Sequence, residues 1–174
     1  MTLLEHSESM SSSSSSTPQW VYDVFLNFRG EDTRFSFVSH LHAALSNAGI
    51  NTFLDDKKLE KGEELGPELL RAIEVSRISI IVFSKSYITS SWCLKELEQI
   101  MKCRKNYGQV VMPIFYHVEP SALRHQKDGY GKALQATAKR RPSGGERRKY
   151  ALSNWKIALT EAANISGWDI NKSR

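Results

Sequence analysis

No apolar run in this sequence approaches the ~20 residues that a helical membrane span needs. The first ten residues, MTLLEHSESM, lack a basic stretch followed by an apolar one, so they do not read as a secretory signal. Cysteine is scarce, with only Cys93 and Cys103 in 174 residues. They stand ten apart on what reads as one helix, so they cannot bridge each other, and neither belongs to a metal-type spacing. The expectation is two buried thiols in a reducing compartment, cytoplasmic or shared with the nucleus. Internal repeats are missing as well, which excludes a solenoid. What is present suits one globular domain: 40% hydrophobic and 25% charged residues, with a net charge of +5. The excess of positive charge concentrates in KRRPSGGERRK (139–149), six basic residues against one acid. That stretch is either a solvated connection between helices or a contact for an anionic partner such as nucleic acid.

Residues 1–19 carry a serine run without apolar periodicity and are expected to be disordered. From Val21 strands and helices alternate. YDVFLNF (22–28), INTFLDD (50–56), RISIIVFS (77–84) and QVVMPIFYHV (109–118) read as strands, the last two with nearly continuous apolar runs. Helices are expected over 35–49, 67–76, 90–106 and 150–167, the last ended by Gly167 in a left-handed cap. RGEDTR (29–34) and KKLEKGEELG (57–66) read as polar loops, and 119–138 as irregular and then helical. Alternation of this kind predicts a doubly wound parallel α/β sheet with its ligand site beyond the carboxyl ends of the strands.

Several nucleotide-binding readings fail there. The first strand is followed by RGEDTR and not by GxGxxG, and no GxxxxGK[ST] occurs. A phosphoreceiver would end its third strand on an acid, whereas this chain has Ser84, although Asp55 and Asp56 close the second.

Glu96 is the candidate acid. On the 90–106 helix, at ~100° per residue, Cys93, Leu94, Leu97, Ile100 and Met101 share the core face, with Lys95, Glu98 and Gln99 opposite, in water. Glu96 falls at the border, one turn after Trp92. Such a carboxylate is either paired with a nearby Arg or Lys or held for chemistry. Trp92 either packs at the core edge or offers its ring to a ligand.

Five segments, YDVFLNFRGEDTR, FLDDKKLEKGEELGPELLRAI, SRISIIVFSKSY, SSWCLKELEQI and VMPIFYHVEPSALRHQ, agree in order with one family. Over about residues 20–170 the chain resembles the plant TIR domain, the N-terminal module of TIR-type nucleotide-binding leucine-rich-repeat immune receptors, with 171–174 as a short tail. The resemblance implies a flavodoxin-like five-stranded parallel sheet with helices on both faces. Four strands are visible, and a short fifth is expected near 140–150.

The resemblance also implies NAD⁺ cleavage at the nicotinamide–ribose bond, with Glu96 matching the glutamate of the family's W-x-x-x-E helix and Trp92 against ribose or nicotinamide. One carboxylate suffices for this chemistry. Nicotinamide leaves a cationic ring as a neutral molecule and needs no general acid, unlike the leaving oxygen of a glycoside. No metal or other cofactor is expected, NAD⁺ being the substrate.

Arg29, Gly30, Glu31, Asp32, Thr33 and Arg34 would line the substrate, the arginines against pyrophosphate or ribose and Gly30 allowing close backbone approach. The plainer alternative is that Asp32 or Thr33 caps the next helix while one arginine pairs with an acid. Gly62 matches the family glycine beside the substrate or is a turn glycine. Self-association with other TIR domains is implied through Ser39 and His40 on the first helix and through a second surface near Gly167 and Trp168. The alternative role for His40 is a helix-surface hydrogen bond. The rival functions are a non-catalytic TIR–TIR adaptor and an enzyme acting on nucleic acid through 139–149.

Overall fold

The computed structural model describes residues 19–55, 64–140 and 145–170. Five strands form one parallel sheet in the order β2-β1-β3-β4-β5: β1 (Tyr22–Phe28), β2 (Thr52–Leu54), β3 (Ser76–Phe83), β4 (Val110–Tyr116) and β5 (Trp168–Ile170). Helices α1 (Gly30–Thr33), α2 (Ser39–Asn47), α3 (Pro67–Glu74), α4 (Ser91–Tyr107), α5 (Pro120–His125), α6 (Tyr130–Lys139) and α7 (Gly145–Ala163) connect them. This is the parallel α/β sheet that the alternation of strands and helices predicts, in the flavodoxin-like form that the resemblance implies.

Strand alternation sends odd and even residues to opposite faces, and each face has its own core. Phe25, Ile81, Phe83, Val111 and Phe115 pack beneath α3, α4 and α7, together with Ile73, Leu97, Ile100 and Trp155. Val24, Leu26, Phe28, Ile80, Val82 and Ile114 face the other way, toward Val38 and the half-buried Leu41 and Leu45. Covering on both faces explains why β3 and β4 are apolar almost throughout. Pro67 opens α3 at its first turn, where its missing N–H costs nothing.

Three expectations are corrected. The fifth strand lies at Trp168–Ile170, not near 140–150, where α7 already begins at Gly145. Gly167 is not a left-handed cap: α7 ends at Ala163, and among the described residues the positive-φ glycines are Gly49, Gly108 and Gly129. Gly167 is instead a place of close approach, since a Cβ there would lie 2.1 Å from the carbonyl oxygen of Pro113. Third, RGEDTR is not a loop. Gly30–Thr33 is a helical turn that runs through a π turn, Arg34–Val38, into α2.

Candidate active site

The carboxyl end of the sheet gathers residues from four elements. β1 and β2 pair in register, Phe25 with Phe53 and Leu26 with Leu54, so Asn27 and Asp55 follow side by side. They share the parity of Phe25 and Phe53, whose rings stack at 5.6 Å, and therefore face α4. Ser90 starts α4 by accepting the Cys93 N–H at 3.2 Å on its hydroxyl, which fixes the first turn carrying Trp92 and Glu96.

Glu96 is only 4% exposed. Asn27 Nδ2 donates to its Oε2 at 3.0 Å. The Tyr87 hydroxyl in turn reaches Asn27 Oδ1, and lies 3.1 Å from the Cys93 carbonyl, which sets the amide so that its NH₂ faces the glutamate. Trp92 Nε1 donates to Asp55 Oδ2 at 2.9 Å, and the Asp55 carboxyl stands close enough for its charge to act on Glu96.

Burial pushes the Glu96 carboxyl up to about 8; the Asn27 amide opposes this, the neighbouring Asp55 charge reinforces it, and Trp92 opposes it weakly. At neutral pH Glu96 therefore holds a proton in the empty site. Burial likewise raises Tyr87, with Cys93 and Glu96 adding to the effect, so its phenol stays a neutral donor.

The border position expected for Glu96 is thus wrong, and so is the open-water position of Lys95, which is 8% exposed with its Nζ 4.0 Å from Glu64. A helical wheel registers the sheet beneath a helix but not what lies over its first turn. Here the ends of β1 and β2 and the 3-10 turn Tyr87–Thr89 close over Glu96. Among the described residues, Glu96 takes its hydrogen bond from the Asn27 amide, with Asp55 and Trp92 beside it, and forms no ion pair with an Arg or Lys.

The turn after β1 is tied down internally. Arg29 Nη2 pairs with Glu31 at 2.9 Å, and Thr33, buried, donates to the Arg29 carbonyl at 2.6 Å. Asp32 accepts from the Ser84 hydroxyl at 2.9 Å and the Ser86 N–H at 3.1 Å, binding this turn to the end of β3. Neither Asp32 nor Thr33 caps the following helix. Gly30 is buried, and the Arg34 guanidinium lies over the Phe28 ring, 5.9 Å from its centroid. Gly62 falls outside the described residues.

Ser39 and His40 are exposed on α2, Ser39 donating to the Ser36 carbonyl at 3.1 Å. Gly167 and Trp168 are exposed at β5, on the edge of the sheet. Of the basic stretch, residues 141–144 lie outside the described set, and Arg140 folds back to donate to the Thr89 carbonyl at 3.0 Å. Asn27 and Tyr87 escaped sequence reasoning; an asparagine inside the apolar β1 is the signal that pointed to the first.

The TIR domain family matches residues 21–174. Disease resistance protein RPV1 of Vitis rotundifolia is 52% identical over 167 residues, covering 94% of this chain and 11% of the relative. TMV resistance protein N of Nicotiana glutinosa is 48% identical over 162 residues, covering 93% of this chain and 14% of the relative. The chain therefore spans a small part of the length of these relatives. Among solved structures, the TIR domains of the activated Roq1 resistosome, described as directly recognizing the pathogen effector XopQ, superpose with a TM-score of 0.76. That similarity is 43% in sequence and covers 87% of this chain and 89% of the other. On this match and these identities, the chain belongs to the TIR domain family.

Proposed function

We propose that this TIR domain is an NAD⁺ hydrolase that breaks the nicotinamide–ribose bond and releases nicotinamide with ADP-ribose or its cyclic or ribosylated variants, as a signal in plant immunity and cell death. The observation that carries the reading is the buried Glu96, held by Asn27 and adjoined by Asp55 and Trp92 at the carboxyl end of the sheet. A carboxylate there stabilises positive charge growing on the ribose as the neutral base departs. Water exclusion at Glu96 strengthens that interaction relative to bulk solvent. The test is incubation of concentrated protein with NAD⁺ and measurement of nicotinamide, with Glu96→Ala alongside. Product from the wild type and none from the variant supports the reading, and equal release from both overturns it.

A second reading, a TIR–TIR docking module, is favoured by the Phe35 ring, 93% exposed on the turn that leads into Ser39 and His40. Exposure of a whole aromatic ring suits a surface covered on assembly. The two readings combine if assembly supports catalysis. Activity per molecule should then rise with protein concentration and fall in Phe35→Ser. Flat specific activity over a hundredfold dilution would count against the combination.

A further inference from the structure

The residue before Glu96 opens onto a cleft that the reaction does not use. Lys95 and Lys102 are seven apart on α4, two helical turns, and share one face of it. Arg147 and Tyr150, three apart on α7, share a face in the same way. Both pairs line a cleft between α3, α4 and α7, with Leu65 and Leu70 on the side of α3. Its volume is about 420 Å³, within the ~300–1,000 Å³ of small-ligand sites.

Three cations and two carboxylates line this cleft. Glu98 is already engaged: Lys102 Nζ lies 3.7 Å from its Oε1, and Asn154 Nδ2 donates to the same oxygen at 3.3 Å. Glu64 stands 4.0 Å from Lys95 Nζ on a side chain 78% exposed, so water screens that pair and an incoming anion can displace the carboxylate. Lys95 itself is 8% exposed. An ammonium withdrawn from bulk water attracts a multiply charged anion more strongly than a surface lysine does. Arg147 comes from the basic stretch 139–149 and is exposed, with a planar fork that bonds phosphate oxygens in pairs.

The rest of the lining suits a flat ring. Tyr150 is 74% exposed, one turn from Arg147, and Leu65 and Leu70 are half-buried. A tyrosine face with aliphatic neighbours stacks on an aromatic ring.

We infer that the cleft binds a nucleoside monophosphate, its phosphate between Lys95 and Arg147 and its base against Tyr150. The ligand is held there and no bond in it is made or broken. The cleft is separate from Glu96, so this inference goes beyond NAD⁺ cleavage, and either can fail without the other.

Titration of the ¹⁵N-labelled protein with adenosine 5′-monophosphate, followed by NMR, tests it. Adenosine and inorganic phosphate serve as the two halves of the probe. Saturable shifts are expected at the backbone amides of Lys95, Lys102 and Tyr150, half-complete below about 1 mM. Adenosine, without the charge-assisted bonds, should bind about tenfold more weakly or less. Arg147 is exposed on its helix, so Arg147→Ala keeps the fold; it should weaken binding of the monophosphate by about tenfold. Shifts confined to Asn27, Asp55 and Trp92 would assign the ligand to the site at Glu96 and overturn the inference. Inorganic phosphate binding as tightly as the nucleotide, with Arg147→Ala indifferent, would show general surface charge only and overturn it too. So would the absence of any shift at millimolar ligand.

Discussion

Replacing Asn27 by alanine tests the electrostatics of the site at a residue with no place in the reaction itself. Asn27 is fully buried, and its NH₂ is a donor to Glu96 Oε2 at 3.0 Å. A hydrogen bond to a charged group contributes ~1.5–3 kcal/mol, equivalent to about 1–2 pH units at ~1.4 kcal/mol per unit. In the native site Glu96 titrates at about 8, so on the order of a tenth of it is ionised at pH 7. Loss of the amide raises it further and cuts the ionised fraction at pH 7 by roughly 10- to 100-fold. Tyr87 keeps the Cys93 carbonyl at 3.1 Å, so the fold loses only part of the network. The assay is kcat/KM for nicotinamide release between pH 6 and 9.5, because that parameter reports ionisation in the free enzyme. Asn27→Ala should fall far below the wild type at pH 7 and approach it steadily as pH rises. A deficit that is constant across the range would mean that Asn27 supports shape rather than charge, and the reasoning fails.

Three further outcomes follow from the same structure. Glu96→Gln should abolish nicotinamide release yet stabilise the fold above neutral pH. The folded state raises this acid from 4.5 to about 8, so it binds more protons than the unfolded chain in that window, and wild-type stability falls as pH climbs through it; melting temperatures that stay parallel from pH 5 to 8 would refute this. Gly167→Ala should destabilise by ~1–3 kcal/mol or more through overpacking, because the new Cβ meets Pro113 backbone at 2.1 Å, while Gly108→Ala, at φ 68 with nothing within 4 Å, costs only the ~1–2 kcal/mol of a left-handed residue; urea titration ranks the two. Asp32→Ala removes the acceptor for Ser84 and Ser86 and should raise hydrogen exchange at Ser86 while leaving the protection of β3 in place.

How much of this was legible in the sequence depended on how local each cause is. β3 and β4 announce themselves because both faces are covered and nearly every residue is apolar. β5 does not, since Trp-Asp-Ile is three residues on a sheet edge, two of them exposed. α1 reads as a loop because its sequence, GEDT, has no apolar stripe; what secures it is the tie from Asp32 to Ser84, 52 residues away. The importance of Glu96 was carried by the W-x-x-x-E resemblance, but its burial was not. The groups that enclose it sit at positions 27, 55 and 87, and no periodicity in one helix reports on three other elements.

Strand parity then links the core to the chemistry. Phe25 and Phe53 stack at 5.6 Å with their rings 10° from parallel, and that contact, inside the core beneath α3 and α4, fixes how β2 lies against β1. Two residues further along each strand, the same parity delivers Asn27 and Asp55 to the first turn of α4. A slip of β2 by one residue would turn Asp55 to the opposite face, where Leu26 and Leu54 pack, and leave the Trp92 indole without its carboxylate. Placement of the acid pair is therefore no separate invention of the loops around it; the apolar packing that makes the sheet fold in register also determines which two polar side chains meet Glu96. A cavity opened at Phe53, an apolar residue packed against the core, should consequently loosen the Trp92–Asp55 contact. Phe53→Ala would be expected to lower the thermal transition and to shift the pH profile of nicotinamide release together, whereas a fall in stability with the profile unchanged would show that the pair is held by α4 alone.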